Sequence, residues 1–128
     1  MFLQNKKVAT ATTKQRGDAA EAAALAHLQA AGLVLIARNY RTPGRGGGEI
    51  DLVMREPRDG TLVFVEVRQR ASASHGGAAH SITAVKKRRI VFAARHYLSR
   101  LRTLPPCRFD VVLVEAGIEW IRAAFDAD

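Results

Sequence analysis

One acid in an otherwise apolar strand constrains this chain more than any other feature. Residues 61–70, TLVFVEVRQR, form the strongest strand pattern, β-branched and aromatic throughout, yet Glu66 sits between Val65 and Val67. Just before it, EIDLVMRE (49–56) alternates as a strand should, and Pro57-Arg58-Asp59-Gly60 is a tight-turn signal, so the two segments are expected to pair as an antiparallel hairpin. Alternation puts Glu49 and Asp51 on one face of the first strand, with Ile50, Leu52 and Met54 on the other. In the second strand Glu66, Arg68 and Arg70 share a face with Leu62 and Phe64, opposite Val63, Val65 and Val67. A carboxylate so placed costs several kcal/mol unless it is paired or binds a metal.

The rest of the chain supplies layers for this hairpin. Residues 14–32, rich in Ala, read as a first helix with Gly32 at a left-handed cap. LVLIARNYR (33–41) reads as a strand, and the glycine-rich TPGRGGG that follows as a loop. ASASHGGAAH (71–80) is a small-residue loop carrying His75 and His80 as ordinary loop histidines. Residues 81–102 read as a second helix, capped by Ser81 or Thr83 and stopped by Pro105 and Pro106, with an apolar stripe of Ile90, Ala94, Tyr97 and Leu101. RFDVVLVE (108–115) and IEWIRAAF (118–125) complete the strands. The order is α-β-β-β-α-β with a further strand, an α/β fold whose mixed central sheet is flanked by helices. Residues 1–13 are expected to be a flexible tail and 14–128 a single domain.

The first helix offers a third acid. Glu21, Leu25 and Leu28 follow i, i+4, i+7 spacing, so Glu21 belongs to the stripe that faces the sheet. Glu21, Asp51 and Glu66 together would form a three-carboxylate cluster, repulsive unless a hard divalent cation, Mg²⁺ or Mn²⁺, holds it ionised. The same acids also read as structural ion pairs, Glu21 with Lys14 or Arg68 and Glu66 with Arg70, and the residues alone leave both readings open.

Charge narrows the partners. Lys and Arg total 20 against 12 Asp and Glu, a formal net charge of +8, and only Lys6, Lys7, Lys14, Lys86 and Lys87 of the cations are lysine. An arginine-dominated excess suits a polyanion such as nucleic acid. Lys86-Lys87-Arg88-Arg89 opens the second helix and Arg45 stands in the glycine loop; these, with Arg70, are the expected phosphate contacts. Gly44–Gly48 is followed by a strand and by no Gly-Lys-Ser/Thr, which excludes a nucleotide phosphate loop. No apolar run is long enough to span a membrane, and a lone Cys107 excludes an internal disulfide and a cysteine zinc cage, in keeping with a reducing cytoplasm. Trp120 and Tyr97 are expected in the core, and His27 and His96 partly exposed on helices.

Gly17, Ala20 and Glu21 on the first helix, Gly48-Glu49-Ile50-Asp51-Leu52-Val53 and Phe64-Val65-Glu66-Val67-Arg68 with Arg70 resemble the YraN-like family of uncharacterised bacterial proteins, and Arg38–Arg41 fits as well. That family resembles the PD-(D/E)xK superfamily of restriction enzymes and archaeal Holliday-junction resolvases. The likeness covers Lys14 to Phe125 in element order. It implies a restriction-endonuclease-like αβββαβ core and divalent-metal-dependent cleavage of DNA, favoured over RNA, by a homodimer. It implies Asp51 and Glu66 as Mg²⁺ or Mn²⁺ ligands, Glu21 as an accessory ligand and Val67 as the donor of a backbone carbonyl. Arg68 occupies the place where the superfamily most often has its active-site lysine. Arginine stays charged and cannot act as a base, but it can hold a phosphate. That departure leaves a second reading, a non-catalytic nucleic-acid-binding module on a degenerate nuclease scaffold. A third is a protein-interaction domain whose charge serves solubility.

Overall fold

A computed structural model describes residues 11–69 and 82–127. The elements run α1 (Thr13–Ala30), β1 (Val34–Arg41), β2 (Glu49–Arg55), β3 (Leu62–Gln69), α2 (Ala84–Leu98), β4 (Cys107–Val114) and β5 (Ile118–Phe125). This is the expected αβββαβ order extended by an edge strand. The five strands form one sheet in the order β1-β2-β3-β4-β5. Only β3 and β4 are parallel, because only they are joined by a helical crossover, and they pair over their whole length from Leu62↔Cys107 to Gln69↔Val114.

The helices cover opposite faces. Against α1 lie Leu52, Met54, Val63, Val65 and Val112, packed on Ala24 and Leu28. Against α2 lie Ile50, Val53, Phe64 and Phe109, packed on Ile90, Val91, Ala93 and Ala94. With both faces covered, the central strands are apolar almost continuously. Tyr97 and Trp120 are half-buried at the rims of these two clusters. No helix among the described residues is long and apolar enough to cross a membrane.

Local chemistry moves two expected boundaries and keeps a third. Thr12 caps α1 through a capping box: its Oγ1 accepts the Gln15 N–H at 3.0 Å while Gln15 Oε1 accepts the Thr12 N–H at 2.8 Å. α1 therefore begins at Thr13, one residue before Lys14. At the other end of α1, Gly32 takes φ +104°, the left-handed value expected of it. The C-terminus of α2 needs correction. It ends at Leu98, well before Pro105: Ser99 Oγ donates to the His96 carbonyl at 2.7 Å, and the next donors, the Arg100 and Leu101 N–H groups, leave the i→i−4 ladder for the Tyr97 and Leu98 carbonyls three residues back. Leu101 consequently lies outside the helix and leaves the predicted stripe.

Candidate functional site

β2 and β3 pair from Arg55↔Leu62 to Leu52↔Val65, and there the ladder stops. The next position would set Asp51 against Glu66. Instead the Asp51 side chain takes a backbone donor of β3: the Val67 N–H donates to Asp51 Oδ2 at 2.8 Å. β2 meanwhile keeps its pairing with β1 as far as Arg41↔Glu49. The break also corrects the simple alternation. Leu52 and Met54 face α1, but Ile50 belongs to the α2 cluster with Val53, so the face changes across Asp51. Two strands parting at a pair of acids make a notch at the end of the sheet.

Both acids are buried, Asp51 to 9% and Glu66 to 3% exposure. Burial, then the Asp51 charge, push the Glu66 carboxyl up to about 8, against the opposing pull of Lys86. Burial also raises Asp51, opposed by the Val67 N–H and a hydrogen bond with Glu66. Glu66 Oε2 lies 3.4 Å from Lys86 Nζ, whereas Glu66 Oε1 is buried with no hydrogen-bond partner. An orphaned carboxyl oxygen costs about 1–3 kcal/mol, more when ionised. The notch therefore has unspent acceptor capacity, and its donor set of hard oxygens suits Mg²⁺ or Mn²⁺.

Glu21 stands apart from the pair. With the Asn39 amide turned so that its NH₂ faces the carboxylate, it donates to both Glu21 oxygens at 3.3 Å. Asn39 does this from a left-handed backbone at φ +50°, a conformation asparagine tolerates. Burial and the Asp51 charge raise Glu21, and Asn39 and Arg38 oppose them. Among the described residues no three His, Cys, Asp or Glu side chains group closely enough for one ion. The expected trio is here a pair with a third acid held on β1. Lys14, considered from sequence as a partner of Glu21, instead bridges Asp18 at 2.9 Å.

The remaining predicted residues separate. Arg68 is half-buried on β3, in register with Leu113. The contact described for Val67 is through its N–H. Arg45 is exposed on the loop that Thr42 closes, where Thr42 Oγ1 accepts the Gly48 N–H at 2.8 Å. Arg70, His75 and His80 lie outside the described residues. The four consecutive cations that open α2 fan out: Lys86 to Glu66, Lys87 over the Phe125 ring at 5.6 Å, Arg89 to Glu49 at 3.8 Å and to the Gly47 carbonyl at 3.3 Å, and Arg88 to the exterior. Lys86 was expected on phosphate. Its place on Glu66 follows from how α2 docks, which its own sequence does not encode. Sequence reasoning also passed over Asp110, a fully buried acid on β4, whose signal was an acid among VVLV exactly like that of Glu66. His96 Nδ1 lies 2.6 Å from the Tyr40 hydroxyl, which ties α2 to β1.

A family model described as uncharacterised protein family UPF0102 matches residues 20–114. A UPF0102 protein of Albidiferax ferrireducens is 69% identical over 128 residues, covering 99% of both chains. One of Polaromonas naphthalenivorans is 71% identical over 91% of this chain and 82% of its own. One of Paracidovorax citrulli is 70% identical over 91% and 86%. The matched region spans both strands of the acidic notch and all of α2, and with it the chain belongs to the UPF0102 family.

Proposed function

We propose that this protein is a Mg²⁺- or Mn²⁺-dependent endonuclease that hydrolyses phosphodiester bonds in DNA. The observation that carries the reading is the buried Asp51–Glu66 pair with its orphaned Glu66 oxygen. Without an ion, burial and the Asp51 charge favour the protonated form of Glu66; a cation bound there would hold both carboxylates ionised. Asp51 and Glu66 would hold the ion, with Glu21 as an accessory that Asn39 releases or retains. A divalent cation supplies a lowered pKa for bound water and neutralises charge growing on phosphate. Lys86 and Arg68 supply positive charge for the phosphate oxygens, neither needing to lose a proton for that task. Arg45, Arg70, Lys87, Arg88 and Arg89 add sequence-independent attraction for the DNA backbone.

The test combines metal titration with cleavage. Mn²⁺ is expected to raise the melting temperature of the wild type by on the order of 10 °C near 100 times its Kd. Asp51→Asn can still accept the Val67 N–H and so should fold, but it should lose that rise and at least about 100-fold in nicking of branched and linear DNA. A wild type that neither responds to Mn²⁺ nor cuts any such substrate overturns the proposal. A second reading draws on Lys86, whose ammonium already partners Glu66, and on Arg68. It is a nucleic-acid-binding module whose affinity depends on salt but not on divalent cations, and that is its distinguishing result.

A further inference from the structure

α2 carries a second stripe that the acidic notch does not use. Val85, Arg88, Phe92 and Arg95 follow spacings of three, four and three, one face of the helix. Phe92 is 54% exposed and Val85 57%, the most exposed large apolar side chains of any helix among the described residues. Arg88, Phe92 and Arg95 of this stripe line a groove of about 500 Å³ together with Lys87, and among the described residues the only acid on its lining is Asp126. That volume is in the range of ligand clefts. No carboxylate among the described residues forms an ion pair with Arg88 or Arg95.

Charge selects the occupant. Three cations against one acid call for an anion, and a second copy of a chain with net charge +8 would set like charges together. The exposed ring adds a further demand. Duplex DNA hides the faces of its bases and would meet the cations alone, leaving Phe92 without a role. An unpaired strand offers phosphates and open π-faces in alternation. Arg88 and Arg95 stand one turn before and one turn after Phe92, about 10 Å apart along the axis, within reach of phosphates on either side of a base stacked on the ring.

We infer that this face of α2 binds single-stranded nucleic acid, with a base on Phe92 and phosphates on Arg88 and Arg95. The inference rests on the nucleic-acid part of the proposed function and is independent of the metal. It is therefore tested in EDTA, by fluorescence anisotropy with a short labelled oligo(dT) and a blunt duplex of equal length. Phe92→Ala and Phe92→Leu should each weaken oligo(dT) binding about 5- to 150-fold, leave duplex binding unchanged, and be rescued by Phe92→Trp. Arg88→Gln and Arg95→Gln should each reduce the slope of log affinity against log salt by about 0.7 on oligo(dT). Unaltered oligo(dT) binding by Phe92→Leu overturns the inference. So does a dimer in sedimentation that Phe92→Ala dissociates, or capture of a polyglutamate peptide in place of the strand. Loss of oligo(dT) binding in Phe92→Leu, with a wild type that never cleaves, upholds this face and overturns the hydrolase. Metal-dependent cleavage by a chain whose strand binding ignores Phe92 does the reverse.

Discussion

Two buried acids on the neighbouring strands β3 and β4 stand one register step apart on opposite faces of the sheet and live in opposite circumstances. In the parallel β3–β4 register Asp110 faces Val65 and Glu66 faces Val111, one step along the same ladder. Asp110 is 0% exposed and saturated: Arg108 Nε donates to its two oxygens at 3.0 and 3.2 Å, Trp120 Nε1 at 2.8 Å and the Ala123 N–H at 2.9 Å. These bonds fasten β5 where its pairing with β4 becomes irregular and Ala123 takes φ +49°. Glu66 is nearly as deeply buried, yet its partners are one lysine and a second acid, Asp51, and its Oε1 has no hydrogen-bond partner. Burial of a charge therefore does not mark a working site. What separates the two is whether the fold supplies the donors that burial demands.

That contrast can be broken most directly at Asp110. Asp110→Ala strands a guanidinium and two N–H groups, and should cost about 3–5 kcal/mol in urea unfolding, with no change in the response to Mn²⁺. A loss under about 1 kcal/mol would erase the distinction. Glu66 should behave with the opposite sign. Its pKa is raised in the fold from 4.5 to about 8, so the contribution of its protonated form is fully present below its unfolded value and is lost as pH rises through 8. Metal-free wild type should thus weaken between roughly pH 5 and pH 9, and Glu66→Gln should flatten the profile and gain about 1–3 kcal/mol at the alkaline end. Mn²⁺ should reverse the slope, its stabilisation growing towards pH 8 because it needs the ionised pair. The smallest effect belongs to Lys86→Met. Lys86 pulls the Glu66 pKa down, so its removal should shift the midpoint of the pH profile upward while changing stability at neutral pH by less than about 1 kcal/mol.

Much of this was legible before any coordinates. Alternation grouped Val63 with Val65 and Leu52 with Met54, and PRDG announced the β2–β3 hairpin; which helix covers that layer was not legible, since the three-carboxylate reading set α1 on the face of Glu66, where α2 and Lys86 lie. The Asp51–Glu66 encounter followed from the same hairpin. The side switch of Ile50 did not, because it depends on the Asp51 side chain replacing a ladder bond, a tertiary event within a strand whose pattern looks regular. The early end of α2 was missed for a related reason: Ser99 outcompetes helix continuation locally, while the prolines drew attention from six residues away. The capping box of Thr12 and Gln15 was readable and unread. Glu21 shows the limit of stripe reasoning, since helical spacing gives a face and not the partner, here Asn39, that waits on it. Asp110 and Glu66 have the same sequence signature, an acid in an aliphatic run, and only the donors around them tell the two apart.

A single missing methyl governs the seat of α2. A Cβ on Gly48 would collide with the Arg89 carbonyl and come within 2.8 Å of the Ala93 amide nitrogen, so the opening of β2 is pressed directly on helix backbone. Side-chain packing elsewhere can yield by rotation; main chain against main chain cannot. The gap between Lys86 and the two acids is hence gauged by an interatomic stop three residues from Asp51, and a designer wishing to widen the notch without touching its chemistry would begin with alanine at that position.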